Sequence, residues 1–247
     1  MSLLLVPIAP LSRTKSRLRD CFSKELLKEL TIAMFIDLSK KLANINLFDK
    51  IIVYCNSTEI LNLAEEYGLI GVKEQLTTPR KSFDQVINDL NRIALDNYNA
   101  QRTIFTFLDV ILVSRTNFQD FNELLGINDV VVCPAIHSAG ISLLGRNPPD
   151  VIPTYFSDPS QTSLVALLNH AREKGLKVAV YDSFRAGFDI DIKQDLVLAY
   201  EYLKIFDLKT TETFKFLKNN LSIKLKKDAN NNRNLEIREK KIKSQRK

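Results

Sequence analysis

Glycine is scarce in this sequence, with seven in 247 residues and none before Gly68. The stretch LVPIAPLSRTKSRLRD (residues 5–20) nevertheless begins as an apolar strand and turns abruptly basic at Arg13, Lys15, Arg17 and Arg19. Without glycine, it cannot form the amide-lined phosphate loop that usually follows a first strand. Any phosphate binding here would depend on Lys and Arg side chains.

Cysteine and histidine are also too few to form common metal sites. The three cysteines, Cys21, Cys55 and Cys133, lack metal-type spacing, and we expect buried free thiols in a reducing compartment. With two histidines in the chain, a divalent cation would need carboxylate ligands, which suits Mg²⁺.

No apolar run approaches the roughly eighteen residues that a membrane-spanning helix needs. The start, MSLLLVPIAP, lacks a basic region before its apolar residues, so we interpret it as a first strand and not a signal peptide. We therefore expect a cytoplasmic protein with no membrane partner.

Positive charge is concentrated at the C-terminus. Residues 222–247 contain ten Lys or Arg and three acids, a net +7, which leaves residues 1–221 near −1 of the overall +6. Nucleic-acid binding is therefore expected only through this tail, if at all.

Short apolar segments alternate with amphipathic stretches of helical length over the first 200 residues. The predicted strands are 3–8, 50–55, 103–108, 129–133, 141–144 and 177–181, and the predicted helices are 23–42, 58–67, 82–97, 117–125 and 160–174. Ser23 and Ser160 are predicted N-caps, and Gly175 a helix stop. This alternation predicts an α/β fold with a mostly parallel central sheet and helices on both faces.

After residue 202 the pattern changes and charge rises. We predict one domain over 1–207, a helical extension over 208–227 and a disordered basic tail over 228–247.

Three charged elements follow predicted strands, where α/β folds bind ligands. They are the basic loop around Lys15 and Arg17, Asp109 after IFTFL, and Asp189 and Asp191 in FDIDIKQDL. Cations beside phosphates and acids beside a metal are the electrostatic layout for nucleotidyl transfer. A solvated surface charge or a helix N-cap is the alternative for each residue alone.

Several segments, in order and spacing, resemble the CofC-type guanylyltransferases, relatives of the molybdenum-cofactor enzyme MobA. They are VPIAPLSRTKSRLRD, ELTIAMFIDL, NPPDVIP with YFSDPSQTSL, HAREKGLKVAVYDS and GFDIDIKQDL, and the likeness covers about residues 3–205. The resemblance implies a Rossmann-like nucleotidyltransferase domain. It also implies an enzyme that joins GTP to phospholactate, phosphoenolpyruvate or phosphoglycerate and releases pyrophosphate, in the making of the deazaflavin coenzyme F-420.

The resemblance also implies roles for individual residues. Lys15 would contact the GTP phosphates, and Asp84 stands where the family has a nucleoside contact. Arg17 is expected at the same triphosphate from its own position, alternating with Lys15 after the first strand. Asp109 and Asp191 would hold Mg²⁺, with Asp189 the alternative to Asp191. Lys15 and Asp109 would be the chief catalytic residues. Homologous enzymes pair as dimers in some cases, so a homodimer is possible.

The expected acceptor site departs most from the family. Gly140 and Ser142 remain from a GGTN-type loop, and Ser160 matches the serine of an FGxxS-type turn. Ser160 would donate to the acceptor acid or simply cap its helix. The family's Asp-Leu-Pro becomes Asp-Val-Ile at 109–111, and its DIDTPEDL becomes DIDIKQDL.

Two other functions remain open on the sequence. One is a MobA-like or sugar-phosphate nucleotidyltransferase, which the missing Gly-rich opening disfavours. The other is a degenerate, non-catalytic transferase-fold scaffold whose basic tail binds nucleic acid.

Overall fold

Seven strands form one mixed sheet in the computed structural model, which describes residues 1–137, 140–227 and 233–240. The strands are β1 (Ser2–Pro7), β2 (Lys50–Cys55), β3 (Ile70–Lys73), β4 (Arg102–Thr106), β5 (Val130–Pro134), β6 (Ile141–Arg146) and β7 (Val178–Val180). Their order across the sheet is β3-β2-β1-β4-β6-β5-β7. All six residues of β1 are buried, as expected for a central strand covered on both faces.

Strand β6 is antiparallel to both neighbours, with Leu144 opposite Phe105 of β4 and Val132 of β5. The other pairings in this sheet are parallel. Only residues 135–140 join β5 to β6, and so short a link cannot make the crossover that parallel strands need. The mostly parallel α/β sheet is thus confirmed, with one reversed strand.

Eight helices accompany the strands in the described part of the chain. They are α1 (Lys24–Leu42), α2 (Thr58–Glu66), α3 (Phe83–Tyr98), α4 (Arg115–Gly126), α5 (Ser163–Glu173), α6 (Phe184–Gly187), α7 (Lys193–Ile205) and α8 (Glu212–Asn220). A short 3-10 helix, Ser16–Leu18, precedes α1.

Helices cover both faces of the sheet. Leu144 of β6 packs in a core cluster with Leu90 of α3 and Leu167 of α5. Its neighbour Gly145 points the other way, where an added Cβ would meet Phe121 and Leu125 of α4 at 2.9–3.1 Å. The predicted two-sided layering is therefore confirmed.

Local signals explain several helix ends. The Ser23 hydroxyl accepts from the Leu26 amide at the start of α1, as predicted. Gly175 has a φ of 67° just beyond α5, a conformation that favours glycine, and it ends the helix as predicted. Ser160, by contrast, does not cap α5, because Thr162 holds the N-cap position.

The structure also contains elements that the sequence patterns did not predict. Strand β3 and helices α6 and α7 were not predicted, and within the helical extension expected over 208–227 the helix ends at Asn220. Residues 221–227 and 233–239 instead pair as an antiparallel hairpin, β8 (Leu221–Lys227) with β9 (Arg233–Glu239). Part of the tail predicted to be disordered is therefore a strand, and residues 228–232 and 241–247 lie outside the described residues.

The chain divides into two compact units, and the predicted domain bounds stay a prediction. Unit 1 comprises Met1–Pro10 and Leu38–Asp189, and it contains the whole seven-stranded sheet. Unit 2 comprises Leu11–Asp37 and Ile190–Lys247. In unit 2 the Asp37 carboxylate accepts the amides of Glu212 and Thr213 at 2.8 and 2.7 Å, which caps the start of α8.

No helix within 1–137, 140–227 and 233–240 has both the length and the apolar character needed to cross a bilayer.

Candidate functional site

In unit 2, Asp191 contacts both Lys15 and Arg17, although 176 and 174 positions separate it from them in sequence. The Asp191 carboxylate bridges the two cations, with Oδ1 3.4 Å from Lys15 Nζ and Oδ2 3.0 Å from Arg17 Nη1. Lys15 Nζ also donates to the Ile190 carbonyl at 2.5 Å. The Lys15 side chain is only 10% exposed, whereas that of Arg17 is 69% exposed. Of the two cations, Lys15 therefore has the more fixed position.

The Lys15 backbone is itself unusual. Its φ of 47° and ψ of 41° lie in the left-handed region, which residues other than glycine rarely occupy. Such a conformation costs on the order of 1 kcal/mol or more and is often found at functional sites. The Lys15 carbonyl accepts the Leu18 amide at 2.9 Å, which closes the 3-10 turn after it. The basic loop is thus an ordered turn and not a solvated strand end.

Asp195 fixes the turn that carries Asp191. Its Oδ2 accepts the backbone amides of Asp191 and Ile192 at 2.7 and 2.8 Å, and its side chain is fully buried. This carboxylate occupies the N3 position of α7 and caps the start of that helix, in a segment that lacks the proline of DIDTPEDL. The sequence gives little signal for this role, because Ile192 at the N-cap position has no side-chain acceptor that would complete a capping box.

In unit 1, Asp109 follows β4 in a loop that two basic side chains hold. Lys41 Nζ donates to the Ile111 carbonyl at 2.6 Å, and Arg185 Nε donates to the Leu112 carbonyl at 3.0 Å. The Ile111 amide donates to the Asp109 carbonyl at 2.9 Å. These contacts shape a turn from which the family's proline is missing. Lys41 and Arg185 carry no motif that would have predicted this role.

Asp189 closes unit 1, and the residues before it approach β5 very closely. The Gly187 carbonyl accepts the Ile136 amide at 2.9 Å, and a Cβ on Gly187 would lie 2.5 Å from the Pro134 carbonyl oxygen. Only glycine fits there, so the glycine of GFDID has a packing reason.

We expect Gly187→Ala to destabilise the protein, because backbone must move to admit the methyl group. The loss should be roughly 1–3 kcal/mol, a typical cost of overpacking, measured as a change in the denaturant midpoint. Gly126→Ala is the matched control, since its Cβ would meet only the Arg102 side chain at 3.5 Å. Equal stability of the two variants would contradict the close approach.

The predicted metal ligands Asp109, Asp189 and Asp191 fall in both units, and their sharing of one ion stays a prediction. Among the described residues no group of three or more His, Cys, Asp or Glu side chains is arranged to hold a metal ion by itself. Three carboxylates are nevertheless a donor set that suits Mg²⁺, which commonly takes one or two carboxylates together with substrate phosphates. The donor chemistry therefore fits the predicted ion.

The Asp84 carboxylate, predicted to contact the nucleotide, is engaged with the chain itself. It accepts the Thr154 hydroxyl at 2.6 Å and the amides of Phe156 and Ser157 at 2.8 Å each. Asp84 thus fastens a loop against the start of α3.

The predicted acceptor residues have mixed positions. Ser142 is 1% exposed, and its hydroxyl donates to the Cys133 carbonyl at 3.0 Å, so in this structure it supports the β5–β6 hairpin. Gly140 accepts the Ala135 amide at 3.1 Å, and residues 138–139 of the same loop lie outside the described residues.

Ser160 is exposed and lies before α5. Its amide and hydroxyl both donate to Asp158 Oδ1, at 2.8 and 2.6 Å. These hydrogen bonds lower the pKa of the Asp158 carboxyl.

The three cysteines are buried and unbridged, as predicted. Burial raises the pKa of each thiol to about 11, so none is a ready nucleophile.

A family model described as guanylyl transferase, CofC-like, matches residues 2–240. A 2-phospho-L-lactate guanylyltransferase of Methanothermobacter thermautotrophicus is 27% identical over 194 residues, which cover 78% of this chain and 81% of that protein. The enzyme of the same name from Methanocaldococcus vulcanius is 25% identical over 194 residues, 78% of this chain and 82% of its own length.

Solved structures share the fold at low sequence identity. A Desulfovibrio desulfuricans protein proposed to be a nucleotide-diphospho-sugar transferase superposes with a TM-score of 0.70 at 16% identity, covering 88% of this chain and 94% of its own. A nucleotidyl transferase of Methanothermobacter thermautotrophicus gives a TM-score of 0.55 at 16% identity, with 89% and 99% covered. The predicted Rossmann-like nucleotidyltransferase fold is therefore confirmed.

Proposed function

Because the chain belongs to the CofC-like guanylyl transferase family, it is a nucleotidyltransferase, and we propose that it joins GMP from GTP to a small phosphorylated acid and releases pyrophosphate. The observation that carries the proposal is the cluster of Lys15, Arg17 and Asp191 in unit 2. We propose Lys15 and Arg17 as phosphate contacts and Asp191 as a metal ligand, and their proximity supports this proposal.

The acceptors that we propose are 2-phospho-L-lactate, phosphoenolpyruvate and 3-phosphoglycerate. The similar proteins named 2-phospho-L-lactate guanylyltransferase support the first of these most directly. The product would then be an intermediate in the synthesis of the deazaflavin coenzyme F-420.

The reaction needs no nucleophile from the protein. A phosphate oxygen of the acceptor attacks the α-phosphorus of GTP, the bond to the β-phosphate bridge oxygen breaks, and pyrophosphate leaves with that electron pair. The protein's work is then alignment and neutralisation of charge. We assign that work to Lys15, a nearly buried cation, and Arg17, an exposed one, at the triphosphate.

Mg²⁺, when bound, would neutralise phosphate charge and help to orient the leaving pyrophosphate. We propose Asp109 and Asp191 as its protein ligands, with Asp189 the alternative to Asp191. Gly140 and Ser160 are proposed to border the acceptor.

The decisive experiment measures pyrophosphate from purified protein with Mg²⁺, GTP and each acid in turn, and identifies the guanylylated product by mass. We expect release with at least one acid and none when the acid is omitted. Parallel reactions with ATP, CTP and UTP measure the base preference.

Failure of every acid, with folded protein that still binds GTP, would refute the proposed reaction. Release with sugar phosphates alone would favour the sugar-phosphate alternative. Salt-sensitive RNA binding by an inactive protein, abolished on removal of 222–247, would favour the scaffold alternative.

A further inference from the structure

The contact set of Asp84 is unusually complete for a partly exposed carboxylate. Both of its oxygens accept hydrogen bonds, Oδ1 from the Thr154 hydroxyl and the Phe156 amide, and Oδ2 from the Ser157 amide. Hydrogen bonds to a charged group are shorter and stronger than neutral ones. Asp84 therefore binds the segment 154–157 firmly, although some 70 positions separate the partners in sequence.

An aromatic cluster holds the same segment from its apolar side. Phe83 is the neighbour of Asp84 in sequence. Its ring centroid lies 5.0 Å from the centroid of the Phe156 ring and 5.8 Å from that of the Phe107 ring. The Phe107 and Phe156 rings are 5.8 Å apart and nearly perpendicular. Aromatic pairs in such tilted and edge-to-face arrangements stabilise a contact beyond the area that they bury.

Phe107 links this cluster, along the chain, to the proposed metal ligand Asp109. It immediately follows β4 and precedes Asp109 by two residues. Phe83 and Asp84 thus join the segment 154–157, which runs on to Ser160, to the segment that carries the proposed metal ligand. All of these residues belong to unit 1.

The segment gains its shape from the chain's own carboxylates. Asp84 takes the amides of Phe156 and Ser157, and Asp158 takes the amide and hydroxyl of Ser160. Since segment 154–157 has no regular secondary structure, these side-chain contacts replace the ladder bonds that would otherwise order its backbone. The two amides bound by Asp84 are thereby occupied before any acceptor arrives.

We propose that Asp84 is a positioning residue for the phospho-acid acceptor, which acts by preorganising residues 154–160, and not a ligand of the nucleotide. The proposal rests on the proposed function. Without Asp84, residues 154–160 would become ordered only when the acceptor binds, and the entropy cost of that ordering would weaken acceptor binding. The affinity for the acceptor should therefore fall, while the affinity for GTP should not change.

Steady-state kinetics of Asp84→Ala test this role, with Asp96→Ala as the matched control, an exposed acid on the same helix. We expect the KM of Asp84→Ala for the acceptor to rise about tenfold, with its KM for GTP within about twofold of wild type. Asp84→Asn, which keeps an oxygen acceptor and removes the charge, should lie between wild type and Asp84→Ala. Thr154→Val, which removes one hydroxyl donor, should have the smallest effect.

Hydrogen exchange of the ligand-free proteins supplies a readout that does not depend on activity. We expect the amides of Phe156 and Ser157 to exchange about tenfold faster in Asp84→Ala, and those of β1 to be unchanged. Asp84→Asn serves here too if the alanine variant does not fold.

A rise in the KM for GTP instead of the acceptor would overturn the proposal and restore the nucleotide role. An acceptor KM equal to that of Asp96→Ala, or unchanged exchange at Phe156 and Ser157, would also overturn it. If wild type transfers GMP to none of the acids, the proposed function fails while the exchange result still decides whether Asp84 orders the segment.

Discussion

Asp109→Asn should release pyrophosphate about 10²–10³ times more slowly than wild type at saturating GTP, Mg²⁺ and acceptor, the usual cost of removing one preorganised electrostatic group. The substitution exchanges a carboxylate for a neutral amide of the same shape. A hard cation prefers the charged oxygen, so the variant should also need more Mg²⁺ for half-maximal rate.

The fold should survive this change. The Asp109 loop is held through its main-chain carbonyls, because the side chains of Lys41 and Arg185 donate to the carbonyls of Ile111 and Leu112. These contacts do not involve the Asp109 side chain. The residues on either side, Leu108 and Val110, are buried and unaltered. We therefore expect the melting temperature without Mg²⁺ to change by less than about 4 °C, as for a loss below 1 kcal/mol.

Asp182→Asn is the control, because Asp182 also follows the carboxyl end of a sheet strand, here β7, and is exposed, whereas Asp109 is partly buried. Its turnover and Mg²⁺ dependence should match wild type. Near-normal turnover of Asp109→Asn, with its fold intact, would remove Asp109 from the metal site.

Most of the sheet could be predicted because its strands are continuous apolar runs between amphipathic segments. Strand β3 was missed, since IGVK is short, half-exposed and at an edge, and it has little apolar pattern to detect. The reversal of β6 was predictable from the shortness of the link 135–140, but the alternation of strands and helices elsewhere favoured parallel pairing.

The sequence identified residues of the site better than it identified their partners. Lys15 and Asp191 were both selected, yet no local pattern predicts that a lysine and an aspartate 176 residues apart will pair. Their convergence was expected because α/β folds bind ligands where strands end, but the ion pair itself was not predicted. Asp195 and Gly187 were missed because a capping carboxylate and a close-packed glycine look like ordinary helix and loop residues.

Asp84 shows a different limit of sequence reasoning, and its predicted nucleotide contact stays a prediction. Its position matched a nucleoside contact, but the partners of a carboxylate depend on which distant backbone amides the fold brings near. Here the fold brings Phe156 and Ser157, which a reading of the segment around Asp84 could not reveal.

Lys15→Met should lower kcat/KM for GTP about 10²–10³-fold, which is the second large effect that we expect. The substitution removes the less exposed of the two cations. Methionine keeps most of the apolar stem and the same Cβ, so the left-handed backbone at Lys15 is no more strained than before. The loss therefore reports on the charge and its hydrogen bonds. Initial rates at varied GTP and direct titration of GTP binding separate weaker binding from slower chemistry.

Arg19→Met and Arg17→Met are control variants for the same experiment, with smaller expected effects. Arg19 is exposed on the same basic segment and is expected to be solvated, so its variant should match wild type. Arg17 is 69% exposed, and a solvent-screened ion pair of this kind contributes at most about 1 kcal/mol, so a loss of severalfold is expected. Equal losses in all three variants would mean that the segment attracts GTP by its summed charge alone, and Lys15 would then have no special place in the site.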